Sequence, residues 1–372
     1  MSFAAFLDRL DWERIHAAQR AATPAQIAAL LRKPRLDDAD LPLLVSPAAD
    51  ELLEEAARTA AAVTAHRFGK VIQLYAPLYL SNVCTNDCAY CGFAASHRIE
   101  RRTATVDEAV AEADVLWREG FRHILLVSGE APRAFSADDL ERAVRQIAPR
   151  FAGIGIEVFP MPLADYRRVE QAGVDNLTLY QETYDRALYA RLHRGPKADF
   201  DKRLAAIELG GEAGFRGLGI GALLGLRDWR DESLTVLYHG RYLAKRFWQS
   251  RVAVSFPRLR PAAGAFAPLS PVTDRDLAQM IVATRLALPD AEIVVSTRER
   301  AELRDRLIPL GVTRMSAGSK TNVGGYQGAQ PSGDQFAVND ERSPQEVVKA
   351  ITAAGREAVW KDFDQAFRSG TT

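Results

Sequence analysis

The sequence predicts an α/β protein built on a (β/α)8 TIM-type barrel, with a helical N-terminal extension and a C-terminal cap. Three observations carry this. From Lys70 onward, short apolar β-branched runs alternate with helical patterns about eight times. Glycines stand where several of those helices should stop. The chain has 372 residues, enough for one barrel-sized domain with extensions. A six-stranded partial barrel is the structural alternative. The expected segments are 1–68 for the extension, 69–319 for the barrel and 320–372 for the cap.

In chain order, residues 1–68 read as helical. Alanine-rich stretches such as 51–66 are strong helix formers, and Pro24, Pro34, Pro42 and Pro47 punctuate the segments. This region reads as a cap beside the catalytic unit, with His16 and His66 in surface or packing roles. Strands are expected at 71–80, 123–128, 154–160, 176–180, 218–223, 252–256, 293–296 and 312–316. Helices are expected at 106–119, 137–148, 163–172, 200–213, 231–247, 273–288 and 299–309. Gly120, Gly173, Gly214 and Gly311 supply the helix stops. The tail opens with glycine-rich 322–328 and continues with a helix near 344–354, and is expected to cover one mouth of the barrel.

Composition narrows the function classes. The chain is 47% hydrophobic and 26% charged, with 48 basic and 48 acidic residues, so it offers no broad basic field for nucleic acid. Residues 1–10 carry Asp8 and Arg9 and lack the apolar core of a signal peptide. No window approaches the roughly 20 apolar residues of a membrane span. A cytoplasmic protein with reduced thiols is the expectation.

All three cysteines fall within eight consecutive residues, spaced Cys84-x3-Cys88-x2-Cys91. Three thiolates on one loop are an incomplete set for an iron–sulfur cube, which takes four, and a cluster iron left open can bind a substrate or cofactor. A structural zinc site could recruit His97, but such sites come as two short pairs with a longer spacer. A ferredoxin-type carrier needs a fourth cysteine. Inert buried thiols suit a polar, asparagine-bearing loop poorly. A disulfide would leave one thiol over and belongs to secreted chains. The open cluster is the reading these comparisons favour.

The cysteine spacing, with Tyr90 directly before the third cysteine, resembles the signature of the radical S-adenosylmethionine (radical SAM) enzymes. The wider string from Pro77 through Tyr79 to Cys91-Gly92-Phe93 is similar to the 2-iminoacetate synthases, the tyrosine lyases of thiamin thiazole synthesis. That resemblance runs from Asp11-Trp12 to Trp360-Lys361-Asp362. It implies a 4Fe–4S cluster on Cys84, Cys88 and Cys91, with SAM chelating the open iron. The hydrogenase-maturation tyrosine lyase carries a second cluster on C-terminal cysteines, and biotin synthase needs cysteines for a sacrificial cluster. This chain has no cysteine after Cys91.

Chemistry on such a barrel gathers at the C-terminal ends of the strands. The second strand ends in Ser128-Gly129-Glu130, similar to the family turn that meets the SAM amino group; an ordinary βα turn is the bland alternative. Glu182 ends the fourth strand and by resemblance meets the SAM ribose, since a carboxylate accepts two hydroxyl hydrogen bonds. Arg203 resembles the arginine for the SAM carboxylate, against the alternative of an exposed helix residue. Gly221, in the glycine-rich fifth strand, lets a flat ring approach the backbone and resembles the adenine-contacting position. Arg258 and Arg260, Arg298 and Ser316 close three successive strands, a cationic pocket suited to an amino-acid carboxylate. In the family, the position of Arg298 lies near that carboxylate and that of Tyr79 near the substrate amine. His97 and His193 are candidate proton donors, with a structural role the expected one for each.

The resemblance implies a radical SAM lyase that cleaves the Cα–Cβ bond of L-tyrosine to 2-iminoacetate and p-cresol, forming 5′-deoxyadenosine and methionine. It also implies a thiazole synthase partner and a flavodoxin- or ferredoxin-type electron donor. The nearest alternative keeps the mechanism and changes the substrate, as in a tryptophan lyase or a deazaflavin synthase component. A cluster-based redox sensor would leave the strand-end arginines and Glu182 without purpose.

Overall fold

The computed structural model describes residues 2–328 and 332–362. Eight parallel strands close into a ring: β1 (Val71–Ser81), β2 (His123–Ser128), β3 (Gly153–Glu157), β4 (Asn176–Thr178), β5 (Gly217–Gly221), β6 (Arg251–Ser255), β7 (Glu292–Val295) and β8 (Arg314–Ser316). β1 pairs with both β2 and β8, which closes the barrel and excludes the partial-barrel alternative. Five strands stop short of their expected C-terminal ends, β3, β4 and β5 by two or three residues and β6 and β7 by one. Beyond β4 and β5 the chain leaves the regular ladder but keeps single bridges, Glu182 to Ala222 and Leu224 to Arg258.

The crossover helices form where the pattern places them, because their caps are encoded locally. Reciprocal capping boxes start helices Val106–Arg118 (Thr105 with Glu108), Ala137–Ile147 (Ser136 with Asp139) and Asp274–Ala287 (Thr273 with Asp276). Gly173 and Gly214 end helices Leu163–Ala172 and Phe200–Ala213 at φ of 125° and 100°, where a Cβ would be strained. Sequence patterns do not reveal the short helix Arg186–Leu192, whose seven residues span only two turns.

Strand alternation sorts the side chains into lumen and wall. Tyr75, Leu125, Gly155, Asn176, Thr178, Tyr180, Gly219, Ser255, Val294 and Arg314 line the lumen. One step toward the C-terminal mouth, the same parity carries Tyr79, Glu157, Glu182, Gly221, Ser316 and Arg298 toward the interior. One step toward the opposite end stands a polar plug, in which Arg251 and Arg314 pair with Glu292 at 3.1 and 3.5 Å.

The N-terminal helices, Phe3–Leu7 to Leu53–Phe68, lie along the barrel wall rather than over a mouth, and share its apolar core. The Phe3 ring stacks on His239 at 4.0 Å, its amide donates to Glu208 at 3.1 Å, and His16 meets Asp231 at 2.8 Å.

The tail covers more than the single mouth expected of it. Residues 320–328 and 332–340 cross the C-terminal mouth, with Val323 bridged to Tyr79 and the Ala337 amide bonded to the Pro261 carbonyl. Helix Pro344–Ala353 then returns along the wall, and β9 (Glu357–Val359) pairs with Val71–Gln73 at the far end. The reason lies in strand length. β1 has 11 residues and β2 six, so the start of β1 has no β2 partner and accepts β9 instead. Asp362 pins that end through His123 at 2.8 Å. Residues 363–372 of the expected cap lie outside the described residues.

Candidate active site

The cysteine loop leaves the end of β1 and is folded by its own backbone and by three neighbours. The Cys91 amide bonds to the Cys88 carbonyl, the Ala89 amide to Leu192, and the Thr85 amide to Glu130. Gly129 lets β2 end flush against this loop, because a Cβ there would collide with the Val83 carbonyl. Gly92 does the same for the strap, since a Cβ would collide with the Gln335 carbonyl. Arg101, to which no sequence motif points, donates to the carbonyls of Asn82, Phe93, Ala94 and His97 at 2.7, 2.9, 2.6 and 3.2 Å. One guanidinium thus gathers both ends of the loop. Replacing Arg101 by alanine should cost about 2 kcal/mol or more in unfolding free energy, since hydrogen bonds to a charged group are the stronger class. Iron retained after anaerobic reconstitution should fall with it, and both are measurable on one preparation.

The donor set suits a cube rather than a single ion. Among the described residues no three His, Cys, Asp or Glu side chains converge on one metal-ion position. His97 is engaged elsewhere, with Nδ1 3.3 Å from the Gly92 carbonyl. A cluster takes its thiolates at separate corners, and three thiols with no fourth leave one corner free. Cys88 is buried and Cys84 and Cys91 are half-buried. Burial pushes the Cys88 thiol up to about 12 and raises Cys91, so loading a metal must drive off their protons.

Beside the loop, two carboxylates and two cations form a closed network. Arg203 donates to Glu130 at 2.5 Å and to the Tyr180 carbonyl at 2.8 Å, with Glu182 at 3.7 Å. Lys197 holds Glu182 at 2.7 Å. Asn86, between Cys84 and Cys88, donates to Glu130 at 2.7 Å and accepts from the Lys197 amide at 2.8 Å. Burial raises both carboxyls, but the Arg203 and Lys197 charges more than offset it, so Glu130 and Glu182 lie below their ordinary values. Glu182 sits at a left-handed φ of 71°, a strained conformation for a residue with a Cβ, held by its carbonyl accepting from the Leu223 amide at 2.8 Å. Arg203 is buried here rather than exposed on its helix. The Ser128 hydroxyl is buried without a partner among the described residues, free for a polar ligand atom. Tyr90 bonds His193 at 2.7 Å, and the same histidine meets the Tyr189 carbonyl at 2.8 Å. A Cβ on Gly221 would strike the Ser255 carbonyl, so that strand end is kept open only by glycine.

Across the mouth stand the arginines. Arg298 has no ion pair among the described residues and lies over the Phe336 ring of the strap at 3.4 Å. Arg260 keeps a buried Nε without a partner, and burial together with the charges of Arg258 and Arg298 depresses it. Arg258 is different: its Nε reaches both Glu299 oxygens at 3.0 Å, and Asp274 holds it at 3.0 Å. The three arginines are therefore not equivalent, and Arg258 is tied by carboxylates of its own. Ser316 is buried and accepts from the Thr297 amide at 3.1 Å. Tyr79 is buried in the mouth and donates to Gln335 of the strap at 2.6 Å.

Two charged residues enter the site that no motif singles out. Lys197 follows the short helix and is drawn in by Glu182. Glu157 ends β3 between the Glu130 and Glu182 strands, half-buried. A signal for Glu157 does exist: an acid closing an apolar strand at the catalytic end of a barrel.

The Radical SAM superfamily profile matches residues 78–238, and that of the Biotin and Thiamin Synthesis associated domain matches 255–357. The chain is 42% identical over 364 residues to 2-iminoacetate synthase of Escherichia coli (strain K12), covering 96% of this chain and 97% of that protein. The Salmonella typhimurium 2-iminoacetate synthase is 41% identical over the same length. Among solved structures, the FeFe-hydrogenase maturase HydG from Carboxydothermus hydrogenoformans superposes with a TM-score of 0.89 at 34% identity, over 96% of this chain and 84% of that one. Methylornithine synthase (PylB), at 23% identity and a TM-score of 0.74, shares the fold. On both the cysteine loop and near full-length identity, the chain belongs to the 2-iminoacetate synthase family of radical SAM lyases.

Proposed function

We propose that this chain cleaves the Cα–Cβ bond of L-tyrosine to 2-iminoacetate and p-cresol, supplying the thiazole moiety of thiamin. The observation that supports it best is a three-thiol loop facing Arg298 and Arg260, neither in an ion pair among the described residues, across one covered barrel mouth. When bound on Cys84, Cys88 and Cys91, a 4Fe–4S cluster with SAM supplies a 5′-deoxyadenosyl radical, with methionine as the other product.

The chain's own residues bind, orient and exclude water. Glu130, with the Ser128-Gly129 turn, would receive the SAM ammonium; Glu182 the ribose hydroxyls; and Arg203 the SAM carboxylate. Tyr90, fixed by His193, and Gly221 would frame the adenosyl group. Arg298, aligned by Phe336, and Arg260 would hold the tyrosine carboxylate, with Ser316 and Tyr79 close by. Arg258 would act on that pocket as a brace held by Glu299. The strap, residues 320–328 and 332–340, would keep bulk water from the mouth, as confining a radical requires. L-Tyrosine as substrate, a thiazole synthase as partner, a flavodoxin- or ferredoxin-type donor and a cytoplasmic location complete the reading. Among the described residues no helix is long and apolar enough to cross a membrane.

The test is an anaerobic assay of reconstituted protein with SAM, reductant and tyrosine. Equal amounts of 5′-deoxyadenosine and p-cresol are expected. Deoxyadenosine accompanied instead by a tryptophan-derived product, when tryptophan is offered, would transfer the activity to the other aromatic amino acid.

A further inference from the structure

Three neighbouring strands, β2, β3 and β4, each deliver a carboxylate to the mouth: Glu130, Glu157 and Glu182. Two are neutralised by direct contact with cations, through Arg203 and Lys197. Glu157 has no hydrogen bond and no cation within ion-pair distance among the described residues. It is nonetheless inside the barrel. Gly155, two residues earlier, lines the lumen with Tyr75, Asn176 and Tyr180, and alternation carries Glu157 to the same face, one level nearer the mouth. The groups whose charge or phenol acts on it come from several surrounding elements. Tyr79 and Tyr75 lie on β1, Tyr180 and Glu182 follow β4, Arg298 follows β7, and Arg203 and Lys197 stand behind Glu182. Glu157 thus feels both Arg298 on the carboxylate-holding side and Glu182 on the SAM side. A half-buried carboxylate without a partner among the described residues is desolvated with nothing to offset it, and this one lies between the two binding regions.

We propose that Glu157 receives the substrate's α-ammonium group and takes its proton, leaving the neutral amine for hydrogen abstraction. This rests on the tyrosine-lyase reading. The step is a simple transfer: an ammonium N–H bond breaks, its electron pair stays on nitrogen, and an O–H bond forms on a Glu157 oxygen. No redox partner is needed. An amino acid carries its ammonium on the carbon next to its carboxylate, so a ligand held at Arg298 by its carboxylate brings a cation into the region where the Arg298 charge already reaches Glu157. Burial and the Glu182 charge, partly offset by Arg298, Arg203 and Lys197, raise the Glu157 carboxyl to about 7. A carboxylate so placed has the basicity to hold a proton near neutral pH.

The experiment uses reconstituted holoenzyme with SAM and an oxidised cluster, so that ligands bind without turnover. L-Tyrosine, tyramine (amine without carboxylate) and 3-(4-hydroxyphenyl)propionate (carboxylate without amine) are titrated calorimetrically into wild type, Glu157→Gln and Arg298→Lys. Glu157→Gln should weaken tyrosine and tyramine by about tenfold or more and leave the propionate unchanged, as loss of a charged hydrogen bond predicts. Arg298→Lys should weaken tyrosine and the propionate and leave tyramine unchanged. In turnover, kcat/KM for tyrosine should fall below pH 7 in wild type, because a protonated Glu157 cannot accept, and the glutamine variant should lose that limb. Equal weakening of all three ligands, or unchanged tyramine affinity, overturns the role of Glu157. Weakened SAM binding with tyrosine affinity intact also overturns it and assigns the residue to the cofactor. Wild type that binds none of the three ligands overturns the tyrosine reading itself, and this inference with it.

Discussion

Cys88→Ala protein is expected to make neither 5′-deoxyadenosine nor p-cresol above background, while keeping its fold. Cys88 sits in a small apolar cluster with Tyr90, Leu188, Leu192, Leu223 and Leu226, where alanine is tolerated sterically. The lost sulfur should cost about 1 kcal/mol, the scale of a small core truncation. What disappears is one of the three thiolates, and two cannot hold a cube at a defined corner. Iron and sulfide analysis, visible absorbance and product assay are read together. Full product formation by this variant would remove the cluster from the mechanism. Loss of products with a collapsed fold would instead mark Cys88 as a packing residue.

The second large effect is on Arg203. Its guanidinium is buried between Glu130 and Glu182, and Arg203→Met would leave Glu130 with only the Asn86 hydrogen bond and the Lys197 charge. Breaking a buried ion pair from one side costs about 3–5 kcal/mol. The apoprotein midpoint in denaturant should drop accordingly, and SAM binding to the reconstituted protein should be lost. The sign with pH follows from Glu130. Its folded carboxyl lies below the ordinary value, so its stabilising contribution is present above the unfolded value and fades as pH falls through the folded one. In Arg203→Met the group becomes easier to protonate, and the stability gap to wild type should narrow as pH drops from 7 toward 4. The double variant Arg203→Met with Glu130→Gln should recover part of the loss. A double variant no more stable than the single one would show that lost packing, rather than an uncompensated charge, sets the cost.

Much of this could be read in the chain because it is encoded locally. The barrel follows from period-2 and period-3.6 patterns reinforced by caps: helices Leu163–Ala172 and Phe200–Ala213 fall within their expected bounds. The cysteine loop declares itself by spacing alone. Other features depend on partners far away in sequence. Glu130 and Arg203 are 73 positions apart, and Tyr79 and Gln335 are 256 apart. No local pattern reports either contact. The three strand-end arginines look alike in sequence, yet Glu299 takes up Arg258 and leaves Arg298 to Phe336. β9 is three residues long, too short for a periodicity, and exists because β1 outruns β2. Arg101 resembles any loop arginine until its four carbonyls are seen together.

The account stands on one iron of the cluster being left open for SAM inside the covered mouth. Electron–nuclear double resonance on the reduced, reconstituted protein with SAM carrying nitrogen-15 in its amino group reads this directly. A nitrogen-15 coupling to the cluster is expected in wild type. A cluster signal that is indifferent to the label would contradict the account.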